Sequence, residues 1–171
     1  MADKAQAEPW LRGTLIETPA VHRAVLHALQ LAEEDLERWC GNLTVEELNA
    51  RPGGVASVAF HLRHIARSLD RLLTYAEGRQ LNEEQLGTLK TEMASNGDRE
   101  EVFKELHDAL RDAADRVKAL TGADLEEKRT VGRRGLPASL GGLLVHVAEH
   151  TQRHVGQAIT TAKIVRAMRA T

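Results

Sequence analysis

Three histidines spaced four residues apart carry the clearest potential for chemistry in this sequence: His146, His150 and His154, in the segment LLVHVAEHTQRHVGQAIT. Side chains four apart on a helix lie on one side of it, about 6 Å apart along the axis, so two neighbouring imidazoles can bind one metal ion. The outer two lie about 12 Å apart, which is too far to share an ion easily. The spacing therefore favours either the first pair or the second, and His150 belongs to both.

A second segment, SVAFHLRHIARSLDRLL, carries His61 and His64 beside an apolar stripe. One imidazole from this segment would complete a set of three, and catalytic metal centres usually have three protein ligands and an open position. Spacing alone does not choose between these two histidines. Zinc, nickel, iron, cobalt and copper all accept imidazole, so the residues do not select the ion. The competing interpretation is that these histidines are satisfied core or boundary residues that bind no metal.

Both segments belong to long predicted helices, because apolar residues recur in them at intervals of three and four. The sequence predicts four such helices, each preceded by a capping residue. The predicted caps are Thr18, Ser57, Asp98 and Ser139. Shorter helices are expected over 44–50 and 82–95, and a polar loop over 123–138. Since no stretch has a strand pattern, the predicted fold class is all-α, a four-helix bundle with short extra helices in the connections.

The length of 171 residues fits one domain with a substantial core. Residues 1–17 are expected to form an N-terminal arm, with Trp10 and Leu11 packed on the body, and residues 18–171 to form the bundle. Cys40 is the single cysteine, which excludes an intrachain disulfide, and we expect it to be a small buried hydrophobe.

The composition argues against several classes of partner. The formal net charge of -2 is unlike that of a dedicated nucleic-acid binder, which would normally be basic. No apolar run is long enough to span a bilayer. The segment MADKAQAEPW lacks the apolar stretch of a signal peptide. We therefore expect a cytoplasmic protein with no nucleic-acid or membrane partner.

Two motifs resemble those of the DinB/YfiT-like superfamily of metal-binding four-helix bundles. The segment EHTQRHVGQ is similar to the terminal EHxxxHxGQ pattern of that family, and it matches at Glu149, His150, His154, Gly156 and Gln157. The segment SVAFHLRHIA is similar to the family's second helix, which ends in a His-Ile-Ala-like step. The order and length of the predicted helices extend the resemblance over residues 18–165.

The resemblance implies that His64, His150 and His154 are the metal ligands. His61, His146 and Gln157 are then candidates for contact with the ligands or the pocket, and a helix-boundary or solvated role is the alternative for each. Gly156 is expected to allow close helix packing. Glu149 points about 100° away from His150 on a helix, so we interpret it as a surface residue.

The function implied is that of a metal-dependent enzyme acting on a small-molecule substrate, with a divalent transition metal, zinc or nickel, at a three-histidine site. Members of the resembling superfamily include thiol-dependent transferases and isomerases that use low-molecular-weight thiols. A thiol-dependent transferase is therefore favoured over a hydrolase. The alternative is a non-catalytic metal-binding or stress-response bundle, and a third is a bundle that only packs and dimerises. We expect a homodimer, since two-fold dimers are the commonest oligomers.

Overall fold

The computed structural model describes residues 7–92 and 97–169, and within these ranges the chain forms six α-helices and one short hairpin. Their bounds are α1 Ala20–Cys40, α2 Val45–Asn49, α3 Val58–Ala76, α4 Glu83–Thr91, α5 Arg99–Ala119, β1 Lys128–Val131, β2 Leu136–Ser139 and α6 Leu140–Arg169. Two short 3-10 turns, Pro9–Leu11 and Pro52–Gly54, precede α1 and α3. The part of the predicted connection at 93–95 lies outside the described residues.

The four long helices α1, α3, α5 and α6 form one bundle. Helix α6 packs against both α1 and α3, and α5 packs against the same two helices. The predicted stripes supply the core, where Leu36, Leu62, Leu106 and Leu144 are fully buried, one from each long helix. Burying a leucine side chain contributes about 1.5–3 kcal/mol, so this shared core stabilises the four helices together. The predicted all-α four-helix bundle is confirmed.

Side-chain caps fix where several helices begin. The Ser57 hydroxyl accepts a hydrogen bond from the Phe60 N–H at 3.1 Å, and the Ser139 hydroxyl accepts one from the Gly142 N–H at 3.1 Å. Both predicted caps are confirmed. At the start of α1 the prediction is off by one residue, because Pro19 occupies the cap position instead of Thr18. Asp98 occupies the cap of α5, but its side chain makes no capping hydrogen bond.

The loop predicted over 123–138 is corrected, because it contains an antiparallel hairpin in which Lys128 pairs with Ser139 and Val131 with Leu136. Its turn uses Gly132 and Gly135 at φ of 70° and 58°, a left-handed conformation that glycine adopts without strain. Four residues per strand are too few to show an alternating pattern in the sequence. The Arg129 Nε donates to the carbonyl of Ala76 at 2.6 Å, which fastens the hairpin to the end of α3.

The described part of the predicted N-terminal arm, residues 7–17, contacts the bundle differently from the prediction. Trp10 and Leu11 are 61% and 58% exposed, so the expected packing of these side chains on the body is wrong. Arg12 instead donates two hydrogen bonds of 2.6 Å to the carboxylate of Glu34 on α1. This bidentate pair is the geometry in which arginine binds a carboxylate best, and it anchors the arm.

Cys40 is fully buried at the end of α1, as expected, and burial raises the pKa of its thiol to about 12. The thiol is therefore protonated at neutral pH. Among the described helices, none combines the length and the apolar character that a membrane crossing needs.

Candidate metal centre

Helices α3 and α6 bring three histidines together in the middle of the bundle. His64 comes from the second turn of α3, and His150 and His154 lie one turn apart on α6. One ring nitrogen of each lies within 4.8 Å of the other two. The Nε2 atoms of His64 and His150 are 3.3 Å apart. Two nitrogens bound to one tetrahedral zinc at about 2.0–2.1 Å would be separated by about 3.3 Å, so the spacing fits a shared ion.

Aromatic packing holds the ring of His64 in place. Phe60, one turn earlier on α3, stacks on it with ring centroids 5.4 Å apart and an interplanar angle of 18°. The same phenyl ring meets His61 edge-on at 5.3 Å. A ring fixed in this way loses little conformational freedom when it binds a ligand.

A buried carboxylate faces the other nitrogen of His64. Glu92 is 4% exposed, and its Oε2 lies 3.2 Å from His64 Nδ1, although the ring is not aligned for a well-formed hydrogen bond. Burial raises the pKa of Glu92, but the contact with His64 and the charge of Arg71 outweigh it and hold the pKa below its usual range. The charged carboxylate favours a proton on His64 Nδ1, which leaves the Nε2 lone pair free for a ligand bond.

Arg71 compensates the buried charge of Glu92. Both terminal nitrogens of its guanidinium lie 3.3 Å from Glu92 Oε1, and Arg71 is itself 8% exposed. Buried ions persist in proteins when they are paired in this way. The pair connects α3 to the residue that follows α4, and it places the carboxylate beside His64.

A hydroxyl group orients His150. The Ser68 hydroxyl donates to the carbonyl of Ile65 at 3.1 Å, so its oxygen is left as an acceptor. His150 Nδ1 lies 3.4 Å from this oxygen and can donate to it. The arrangement again favours a proton on Nδ1 and a free lone pair on Nε2, which is the atom that faces His64.

His61 contacts His154 and lies outside the three-histidine set. Their Nδ1 atoms are 3.0 Å apart, so one donates a hydrogen bond and the other accepts it. His61 is 5% exposed. The sequence did not choose between His61 and His64, and the structure brings only His64 into the set.

The environment of His61, His150 and His154 keeps these three histidines neutral. Burial, followed by the proximity of His64, lowers the pKa of His61 and of His150 to about 4 and that of His154 to about 3. Neutral imidazole is the form that binds a metal, so protons do not compete for these nitrogens near neutral pH.

Two cavities lie on either side of the cluster. The histidine cavity, of about 230 Å³, is lined by His64, His146, His150, Ser68, Arg71, Leu72, Tyr75, Leu81 and Leu89. The Gln157 cavity, of about 550 Å³, is lined by Gln157, His61, Arg153, Gly156, Thr160, Thr161, Ile164, Val55 and Ala56. The candidate ligands His64 and His150 thus face the first cavity only.

The remaining predicted residues lie at the edges of the site. His146 has its ring 5.6 Å from that of His150, and its Nδ1 is 3.5 Å from the carboxylate of Glu149. Glu149 is exposed and also pairs with Arg153, as its surface interpretation requires. A methyl group on Gly156 would meet no neighbouring element within 4 Å, so the expected role in close helix packing is wrong and the glycine instead borders the Gln157 cavity.

Sequence reasoning missed Ser68, Arg71 and Glu92. Ser68 and Arg71 are four and seven residues after His64, so the helical period could have placed them on its face. Glu92 follows a different helix, and no spacing in the sequence connects it to a histidine.

A family model described as the DinB superfamily matches residues 28–158, which cover the two motifs and most of the bundle. A comparison with curated protein sequences finds no match.

The lowered pKa values make the metal-free protein sensitive to acid. In the unfolded chain His61, His150 and His154 take up protons near pH 6.5, whereas in the fold they stay neutral to about pH 4 or below. Between these limits the unfolded state binds more protons, so the free energy of unfolding falls as the pH falls through that window. We expect the thermal midpoint of the metal-free protein to drop from pH 6.5 to 4, and to drop less in a His150→Asn/His154→Asn double variant. If the thermal midpoints of the two proteins fell with pH by the same amount, the lowered pKa values would be contradicted.

The contact of Glu92 with His64 predicts an effect on metal affinity. Glu92→Gln keeps the shape of the side chain but removes the charge that favours the proton on Nδ1. We expect about a 10-fold weaker zinc affinity, the size seen when a partner of a ligating histidine is changed. Competition with a chromophoric chelator measures it. The matched control is Glu149→Gln, which removes an exposed charge beside His150 in sequence and should leave the affinity unchanged. An equal loss of zinc affinity in Glu92→Gln and Glu149→Gln would argue against a specific role for Glu92.

Proposed function

We propose that this chain, which belongs to the DinB superfamily, is a metal-dependent enzyme that binds one divalent transition-metal ion through His64, His150 and His154. The observation that carries the proposal is the convergence of three imidazoles from two helices, with ligand atoms within 4.8 Å of one another. The low pKa values of His150 and His154 support it, because both nitrogens are available near neutral pH. Zinc and nickel are among the ions that an all-imidazole set accepts, and they are the two we favour.

The proposed ligands leave room for chemistry at the ion. With three protein ligands, the ion would keep an open position at which it lowers the pKa of a water molecule for hydrolysis or holds a low-molecular-weight thiol as its thiolate. The resemblance to thiol-dependent transferases favours thiol transfer. Cys40 does not supply the thiol, because it is buried in the core and its pKa of about 12 keeps it protonated. A reacting thiol would come from the small-molecule substrate or co-substrate.

Residues of the chain prepare the site for the ion. Glu92 and Ser68 favour protons on the Nδ1 atoms of His64 and His150, so that both Nε2 atoms present lone pairs to the same point. His61 can accept a hydrogen bond from Nδ1 of His154, which would leave Nε2 of that ring for the ion. All three proposed ligands would then bind through Nε2.

The apolar packing of α3 against α6 favours an enzyme over a bundle that needs the metal to hold its helices together. Leu62 and Ile65 on α3 are fully buried, as are Val147 and Ala158 on α6, and they lie before and after the histidines along the helices. The two helices therefore pack through apolar contacts of their own. The alternative function, a non-catalytic metal-binding or stress-response module, would have the ion as a structural tie between them.

Removal of the metal separates these two functions. We expect protein treated with a chelator to keep its helical circular dichroism and its cooperative thermal unfolding, because the apolar core is complete without an ion. Loss of the helical signal on removal, with recovery when zinc is returned, would favour the structural role.

Single substitutions test the ligand set. We expect His64→Ala, His150→Ala and His154→Ala to lose bound metal, because each removes one of three ligands. His61→Ala and His146→Ala should lower the affinity by at most about 10–100-fold, the range for residues that contact ligands. The measurement is elemental analysis per chain on protein purified without a polyhistidine tag. Full occupancy in His150→Ala would overturn the site, because both pairings of the α6 histidines use that residue.

We further propose that the protein is a cytoplasmic homodimer. Two-fold dimers are the commonest oligomers, and α6 presents the exposed apolar residues Val145, Ile164 and Met168. Light scattering at high concentration should give twice the mass of one 18.8 kDa chain, and a mass of one chain would exclude the dimer.

A further inference from the structure

We propose that the histidine cavity is the substrate site, and that it takes a small molecule with a short apolar body and one anionic end, a carboxylate or a thiolate. This inference rests on the proposed function, because the ion supplies part of the charge that selects the anionic end.

The histidine cavity has a buried inner end and an exposed entrance. Ser68 and Arg71, beside the two histidines, are 5% and 8% exposed. Leu89 on α4 is 48% exposed, and the side chain of His146 is 43% exposed. A molecule that enters past Leu89 and His146 therefore reaches His64 and His150 at the far end.

The walls between these ends are mostly apolar. Leu72 and Tyr75 line the cavity from α3, Leu81 from the connection to α4, and Leu89 from α4 itself. A water molecule in the liquid takes up about 30 Å³, so a volume of about 230 Å³ accommodates about eight non-hydrogen atoms. The cavity thus fits a short hydrocarbon body, which the three leucines would contact.

The charges at the inner end select the other end of the molecule. Arg71 and Glu92 cancel one another across their 3.3 Å contact. A divalent ion on the three histidines would leave this end with a net positive charge. Arg71 also lines this cavity, and its guanidinium is a group that suits carboxylate oxygens.

The Gln157 cavity is the less suitable site, although it is larger. The histidine that lines it is His61, which lies outside the three-histidine set and whose Nδ1 is in contact with His154. His61 therefore stands between this cavity and the proposed ligands, and a molecule bound there would not reach His64 or His150.

A chain-length series tests the site. The probes are acetate, butanoate, hexanoate and 1-hexanethiol, titrated into zinc-loaded protein by calorimetry after the zinc content has been measured. We expect the dissociation constant of the carboxylates to fall about fourfold for each added methylene, the effect of burying one CH2 group. Tighter binding of hexanoate than of hexanethiol assigns a carboxylate end, and the reverse assigns a thiolate. An affinity that does not change with chain length, or no binding of either kind, would overturn the proposal.

Matched substitutions locate the binding. Leu89→Ser shortens the apolar wall at an exposed position and should weaken hexanoate threefold or more while leaving acetate unchanged. Ile164→Ser makes the same change at the Gln157 cavity, and Leu136→Ser makes it on β2, outside both cavities; these residues are 41% and 52% exposed. Neither should affect binding. A loss of hexanoate affinity in Ile164→Ser, with no loss in Leu89→Ser, would assign the ligand to the Gln157 cavity and overturn the proposal.

The zinc content separates the two proposals. A chain that binds one zinc ion but shows no dependence on carboxylate length contradicts the substrate site alone. A chain that binds neither zinc nor nickel contradicts the proposed function. NMR of the leucine methyl groups in that metal-free chain then tests the cavity. Chemical-shift changes at Leu72, Leu81 and Leu89 on addition of hexanoate support binding in the histidine cavity. The absence of such changes overturns it.

Discussion

The packing of α3 against α6 decides where every imidazole of the candidate centre lies. Small and β-branched residues, among them Ala59, Thr151 and Val155, are buried in these two helices and allow them to approach closely. Packed helices keep their axes about 8–10 Å apart, a separation that opposing imidazoles can span from both sides. His64 therefore meets His150 with 3.3 Å between nitrogens, and a change in helix spacing would move the ligands as a set.

Polar rings buried in an apolar bundle need hydrogen-bonding partners. In this site the partners determine which nitrogen of each ring is free to bind a ligand. Glu92, Ser68 and His61 each contact the Nδ1 atom of a different histidine in the cluster. The carboxylate in turn needs Arg71, because a buried unpaired charge would destabilise the fold. The same contacts that satisfy polar groups thus turn the Nε2 atoms of His64 and His150 toward one point. One network of contacts therefore both stabilises the buried polar groups and orients the histidines for a ligand.

The sequence predicted the parts of this arrangement that follow a helical period. The four stripes predicted the bundle, and the spacing of His150 and His154 placed them one turn apart on one face. The choice of His64 over His61 needed the family resemblance, because residues three apart both border the stripe. Glu92 could not be predicted, since its position depends on how α4 packs against α3. The hairpin and the exposed Trp10 were missed for a related reason: short segments carry little periodic signal, and tertiary contacts decide them.

His61 and His64 lie on different sides of the centre and line different cavities. Three residues on a helix turn the side chain by about 60°, so the two rings leave α3 toward different flanks. His61 contacts His154 and lines the Gln157 cavity, while His64 lines the histidine cavity. The histidine cavity brings two imidazoles together with a buried arginine, and a buried carboxylate contacts both His64 and that arginine. Departures from uniform apolar packing of this kind are concentrated at functional sites, and here His64, His150 and Arg71 all line one cavity.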